Sequence, residues 1–192
     1  IVVIKDKGLT GRAKTVNVQR ELWINKNFAP FSERDALKLI EHEVNVHVRR
    51  YERGRKSGLQ ILQYGTSGYL PTEEGLTTFF EDLSKVKNPA LELKKSLYVI
   101  TEVVAANYGF YDCYLNLLQH GIDPETSWSV CVRVKRGLCD TGKPGGFFKD
   151  HVYFLGDQLL NKFIAAGYSA KDLMGGKISV SDAKRLLKLA KI

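Results

Sequence analysis

The chain is poor in the residues that cross-link a fold. Only three cysteines occur in 192 residues, Cys113, Cys131 and Cys139. None forms a CxxC pair, so a zinc ribbon built on such pairs is excluded. An odd count without paired spacing argues against a disulfide scaffold. The thiols read as reduced groups of an intracellular protein, and a cytoplasmic location is the expectation. No apolar run approaches the ~20 residues that cross a bilayer, and no signal-peptide pattern opens the chain. The first residue is Ile1 rather than Met, which reads as a piece of a longer chain. Acidic residues are in deficit, 21 against 29 Lys and Arg, for a formal charge of +8. Such a surface steers acidic partners toward it. Its densest run is Arg49-Arg50-Tyr51-Glu52-Arg53-Gly54-Arg55-Lys56, which by itself reads as a solvated face.

What remains is ordinary globular composition, 44% hydrophobic and 26% charged, enough to bury a core. Residues 1–30 read as strands and turns, with Val2-Val3-Ile4 broken at Lys7-Gly8, then Val16-Asn17-Val18 and Leu22-Trp23-Ile24. Pro30 ends that part. Ser32 is placed to cap a helix carrying Glu33 and Asp35 in its first turn. Its apolar period continues to about Tyr51, with Gly54 as the stop. Residues 54–70 read as a Gly-rich loop. Pro71 and Thr72 open a second helix that ends near Val86, before Asn88-Pro89. A long helix from about Leu91 to Gln119 has a weak point at Asn107-Tyr108-Gly109. His120 sits at its end, suited to the last carbonyls. Further helices are expected from Asp123 to about Lys135, Lys149 to Ala166, Ser169 to Met174 and Ser181 to Lys191. The expected fold class is α+β, mostly α. It comprises one catalytic domain over 1–192, with a β part at 1–30 and a helical body at 31–192.

The stretch that carries chemistry is His42-Glu43-Val44-Asn45-Val46-His47, an HExxxH. Two imidazoles can hold a metal ion, and a carboxylate beside the first can take a proton from metal-bound water. The spacing is one residue too long for a regular helix. Residues i and i+4 lie about 40° apart around the axis, but i and i+5 lie about 140° apart. A π-type insertion restores one face, so a widened turn is expected between Glu43 and His47. Catalytic zinc takes three protein ligands and an open position. Glu73 and Glu74 in the second helix are the nearby candidates. Glu73 reads most simply as N-terminal helix charge. Glu74 is followed by Gly75, which permits close helix approach, and is the better ligand.

Three blocks then follow in order: Leu39-Ile40-Glu41-His42-Glu43-Val44-Asn45-Val46-His47, Thr72-Glu73-Glu74-Gly75-Leu76, and Gly145-Gly146-Phe147-Phe148-Lys149-Asp150-His151-Val152-Tyr153. Together they resemble the bacterial flavohaemoglobin expression-modulating QEGLA-motif family. That family includes the microtubule-associated tyrosine carboxypeptidases, which remove the C-terminal tyrosine of α-tubulin. The resemblance covers about residues 10–190. It implies a zincin-like metallopeptidase fold and one Zn2+ per chain, held by His42, His47 and Glu74, with Glu43 as the catalytic glutamate. The QEGLA letters read Glu73-Glu74-Gly75-Leu76-Thr77 here, so the first and last differ. A carboxypeptidase also needs a cation for the substrate's terminal carboxylate. Arg133, Arg136 and Lys149 are the candidates, and Tyr153 is a candidate oxyanion donor. His151 is not expected to be a ligand.

The expected function is removal of a C-terminal residue, aromatic by resemblance, from a peptide or an acidic protein tail. Two rivals stand beside it: a metal-binding regulatory module without turnover, and a basic nucleic-acid binder. No recognised motif supports nucleic-acid binding, and no membrane partner is expected. Gly137 to Pro144 fits the opening of a GxxxxGK phosphate loop, but Pro144 stands where Ser or Thr and a helix are needed.

Overall fold

The computed structural model describes residues 3–6, 9, 12–27, 30–82 and 89–189. Three short strands, β1 (Val3–Asp6), β2 (Ala13–Val16) and β3 (Glu21–Ile24), make a sheet in the order β1-β3-β2. β1 runs parallel to β3, and β2 antiparallel to it with Lys14 opposite Trp23 and Thr15 opposite Leu22. Among the described strands β2 is therefore an edge. The helices are α1 (Glu33–Leu39), a π-helical segment (Ile40–Val48), α2 (Arg49–Lys56), α3 (Gln60–Tyr64), α4 (Tyr69–Asp82), α5 (Pro89–Ala105), α6 (Phe110–Gln119), α7 (Pro124–Lys135), α8 (Lys149–Ala165) and α9 (Val180–Leu189). A 3-10 turn, Ala170–Gly175, precedes α9. The class is α+β and mostly helical. Among the described residues no helix is long and apolar enough to cross a membrane.

The chain forms two compact units, Ile1–Lys85 with Leu155–Ile192, and Val86–Phe154. The first has a core of Val46, Leu76, Leu160, Phe163, Leu173 and neighbours. Each large side chain buried there contributes roughly 1.5–3 kcal/mol of transfer free energy. Glycine lets two of its helices touch through their backbones. A Cβ on Gly75 of α4 would lie 2.4 Å from the carbonyl oxygen of Gly156 in α8, and a Cβ on Gly156 would lie 2.1 Å from that of Pro71. The second unit packs α5, α6 and α7 around Leu97, Ala105, Leu117, Val130 and Val134, with Cys113 and Cys131 among them.

Several local expectations need correcting. Gly54 does not stop the first helix, which continues to Lys56. Glycine is needed there because a Cβ would lie 1.9 Å from the carbonyl oxygen of Leu62. Residues 54–70 are not one loop, since they hold α3 and the first turn of α4. Thr72 is not a cap: it is buried within α4, and its Oγ1 accepts from the amide of Val180 at 3.0 Å. Pro71 lies in the first turn, where a missing N–H removes no intrahelical bond. Other expectations hold. Ser32 Oγ accepts from the amide of Asp35, and Asp123 caps α7 by accepting from that of Thr126. His120 Nδ1 lies 2.7 Å from the carbonyl of Asn116. The break after Ala105 falls at the weak point anticipated. The expected break at Lys7-Gly8, the helix end near Val86 and Lys191 lie outside the described residues.

Candidate metal centre

The helix that begins at Glu33 runs without interruption to Lys56, but its middle is π-helical from Ile40 to Val48. Bonds of the i→i+5 type widen the turn. They carry His42 and His47 to one side, with ring centroids 5.0 Å apart. Val46 stays fully buried in the core of the first unit. The widening thus reconciles two demands, an apolar residue inward and two imidazoles together.

α4 supplies the third donor. Glu74 Oε2 lies 3.8 Å from His42 Nε2. His42, His47 and Glu74 each offer one donor atom, and the three atoms lie within 4.8 Å of one another. Ligands at zinc distances of about 2.0–2.1 Å stand about 3.4 Å apart around a tetrahedron. Two imidazoles and a carboxylate brought this close are a donor set of the kind that holds zinc, with only small side-chain movement needed to reach that spacing. Glu43 follows His42 directly, and its Oε2 accepts a hydrogen bond from Thr15 Oγ1 on β2.

Behind these groups lies a network that the sequence did not reveal. Glu73 is not a free helix-terminal charge: it is 2% exposed. Its Oε1 lies 2.6 Å from His47 Nδ1 and accepts from Lys177 Nζ at 2.8 Å, while Oε2 accepts from Arg50 Nη1 at 3.0 Å. Arg50, fully buried, also donates to the carbonyls of Leu173, Gly176 and Ile178. Burial by itself would raise the Glu73 pKa. The bond to His47 and the positive charges around it outweigh burial and hold it at about 2. An ionised Glu73 can only accept, so His47 donates to it through Nδ1, which leaves Nε2 as the ring nitrogen available to a metal. Arg50 follows His47 by three residues, and Glu73 occupies the first QEGLA letter. Those spacings were the available signals, but Lys177, 104 residues away from Glu73, left none.

The other candidates sit in the second unit. Arg133 makes a bidentate pair with Asp150, at 2.8 and 2.6 Å. That pair raises its pKa despite partial burial, and its guanidinium lies 4.6 Å from the Tyr98 ring centroid. Arg136 lies over Phe147 at 4.1 Å, with its pKa lowered by burial and by Arg133. Lys149 Nζ is 5.3 Å from the Tyr153 ring centroid. His151 is exposed and stands outside the three-donor group. The phosphate-loop lookalike has the wrong polarity. The carbonyls of Lys143, Gly145 and Tyr108 converge on the buried ammonium of Lys135, whereas a phosphate cradle points N–H groups at an anion.

Comparison with known proteins follows the same lines. The family description "Microtubule-associated tyrosine carboxypeptidase" matches residues 2–192. Microtubule-associated tyrosine carboxypeptidase 1 of Mus musculus is 38% identical over 125 residues, covering 62% of this chain and 26% of that protein. The Homo sapiens protein of the same name is 36% identical over 125 residues. MATCAP2 of Mus musculus is 30% identical over 201 aligned residues, covering 99% of this chain and 37% of that protein. The chain thus spans between about a quarter and somewhat over a third of the length of these relatives.

Proposed function

The chain belongs to the microtubule-associated tyrosine carboxypeptidase family, and from that premise we propose that it is a zinc-dependent metallocarboxypeptidase of zincin-like fold. Its substrate is the C-terminal residue, aromatic and typically tyrosine, of a peptide or an acidic protein tail such as that of tubulin. A tubulin substrate places its action in the cytoplasm. The observation that carries this reading is the convergence of His42, His47 and Glu74 beside Glu43.

His42, His47 and Glu74 would hold the ion, with Glu73 fixing the tautomer of His47. Bound there, zinc supplies Lewis acidity and lowers the pKa of a water toward ~7. Glu43 accepts the proton of the attacking water and returns it to the departing amine. Thr15, donating to Glu43, keeps that carboxylate aimed at the open side. Tyr153 as oxyanion donor, and Arg133, Arg136 or Lys149 as the cation for the substrate carboxylate, are candidates that the sequence alone offers. Arg133 would have to exchange its bond to Asp150 for that role. The net charge of +8 favours an acidic tail.

The test is elemental analysis with turnover. Protein purified without chelator should hold about one zinc per chain, and His42→Ala should lose it. Peptides ending in tyrosine or phenylalanine should be shortened by one residue. Glu43→Gln should retain zinc yet lose at least about a hundredfold in kcat, the usual scale for a general base. Zinc bound with no hydrolysis of any peptide would favour a metal-binding regulatory module instead. No zinc, even after it is added back, would end the metallopeptidase reading.

A further inference from the structure

The first unit carries a cleft of about 380 Å³ next to the metal-ligand cluster, within the size range of small-molecule sites. Two of its lining residues bond to the carboxylates that flank that cluster. Thr15 is bonded to Glu43, and Lys177 shares Glu73 Oε1 with His47. Lys14, Thr15 and Val16 of β2 all line it. Consecutive strand residues alternate faces, so the cleft follows the outer edge of β2 rather than one side of the sheet.

Its lining is aromatic and cationic. Trp23, Tyr51 and Tyr64 supply rings. Tyr51 is almost buried and its hydroxyl accepts from Gln63 at 2.5 Å, while Tyr64 is 62% exposed. The two cations differ in availability. Lys177 is engaged by Glu73. Lys14 is exposed and has no carboxylate partner among the described residues. Directly opposite Lys14 on β3 is Trp23, and cross-strand neighbours present their side chains on one face. An unengaged ammonium beside an aromatic ring is complementary to an aromatic side chain whose own carbon bears a carboxylate.

We propose that this cleft receives the C-terminal aromatic residue of the substrate, with Lys14 binding its carboxylate and Trp23 and Tyr64 flanking its ring. The inference rests on the carboxypeptidase reading and adds the residues that choose the substrate. It moves the carboxylate-binding cation from the arginines of the second unit to β2.

The test is calorimetric binding to the zinc-loaded chain carrying Glu43→Gln, so that turnover does not intervene. The probes are a tetrapeptide ending in phenylalanine, the same peptide as its C-terminal amide, and a version ending in alanine. The free carboxylate should bind at least about tenfold more tightly than the amide, the scale of a charged hydrogen bond. Lys14→Met should erase that preference, and Lys14→Arg should restore most of it. Tyr64→Ala should weaken the phenylalanine peptide more than the alanine peptide. Lys14 and Tyr64 are exposed, so these variants should fold. A carboxylate preference untouched by Lys14→Met, or erased instead by Arg136→Met, overturns the inference and leaves the peptidase reading intact. Failure of the zinc-loaded chain without these substitutions to bind or cleave any of the peptides overturns both.

Discussion

Glu73 Oε1 lies 2.6 Å from Nδ1 of His47, and the same carboxylate pairs with the buried Arg50 and with Lys177. The motif letter here is glutamate where QEGLA has glutamine. The extra negative charge is balanced by two cations, one of them tied to three backbone carbonyls. Removing it should therefore disturb both metal binding and folding. Glu73→Ala is expected to weaken zinc binding about 10–100-fold, measured by competition with a chromogenic chelator. It should also destabilise the chain by about 3–5 kcal/mol, because Arg50 loses its partner inside the core. Glu73→Gln, which keeps the shape, should be milder on both counts. Equal zinc affinity in all three proteins would remove Glu73 from the metal centre.

The contact of α4 with α8 holds Glu74 in place through Gly75. Gly75→Ala brings a methyl into the carbonyl of Gly156, a rigid neighbour that cannot turn aside. A loss of about 1–3 kcal/mol is expected, read as a lower midpoint in urea, together with weaker zinc binding. A conserved midpoint would mean that the helices spread without cost.

Cys113 and Cys131 of the second unit should be inert in the folded chain. Burial pushes the Cys131 thiol up to about 12 and raises that of Cys113, whereas Cys139 is exposed. The thiolate is the reactive form. An Ellman titration near pH 8 should count one thiol in the native protein and three in denaturant. Three in the native protein would contradict the packing of α5, α6 and α7.

Stability should carry a pH signature from Glu102. Burial raises its pKa above the ordinary 4.5 and outweighs the amide donors of Asp150 and His151. A carboxyl with a raised folded pKa favours the folded state below its unfolded pKa. That contribution is lost as pH rises through the folded value. Denaturation midpoints from pH 4 to 7 should therefore fall with rising pH more in the parent chain than in Glu102→Gln. Parallel curves would show that Glu102 titrates as it does in an unfolded chain.

Much of the helical body was legible because capping and apolar period are local. Ser32, Asp123 and the break around Gly109 act through atoms a few residues away. The π-helical turn was legible for a related reason: five-residue spacing cannot align two histidines on a regular helix. Gly54, Thr72 and Glu73 were misread because their roles lie outside their own helices. Gly54 makes room for the carbonyl of Leu62, Thr72 meets the amide of Val180, and Glu73 gathers Arg50 and Lys177.

The sequence by itself determined the donor types, the widened turn and the order of a β part followed by a helical body, since each follows from neighbours along the chain. Only the tertiary structure decided that Glu74 reaches His42, that Glu73 orients His47, and that Lys14 and Tyr64 line one cleft. Those relations join residues tens of positions apart. They depend on how helices and strands cross, which close packing sets and local spacing does not encode.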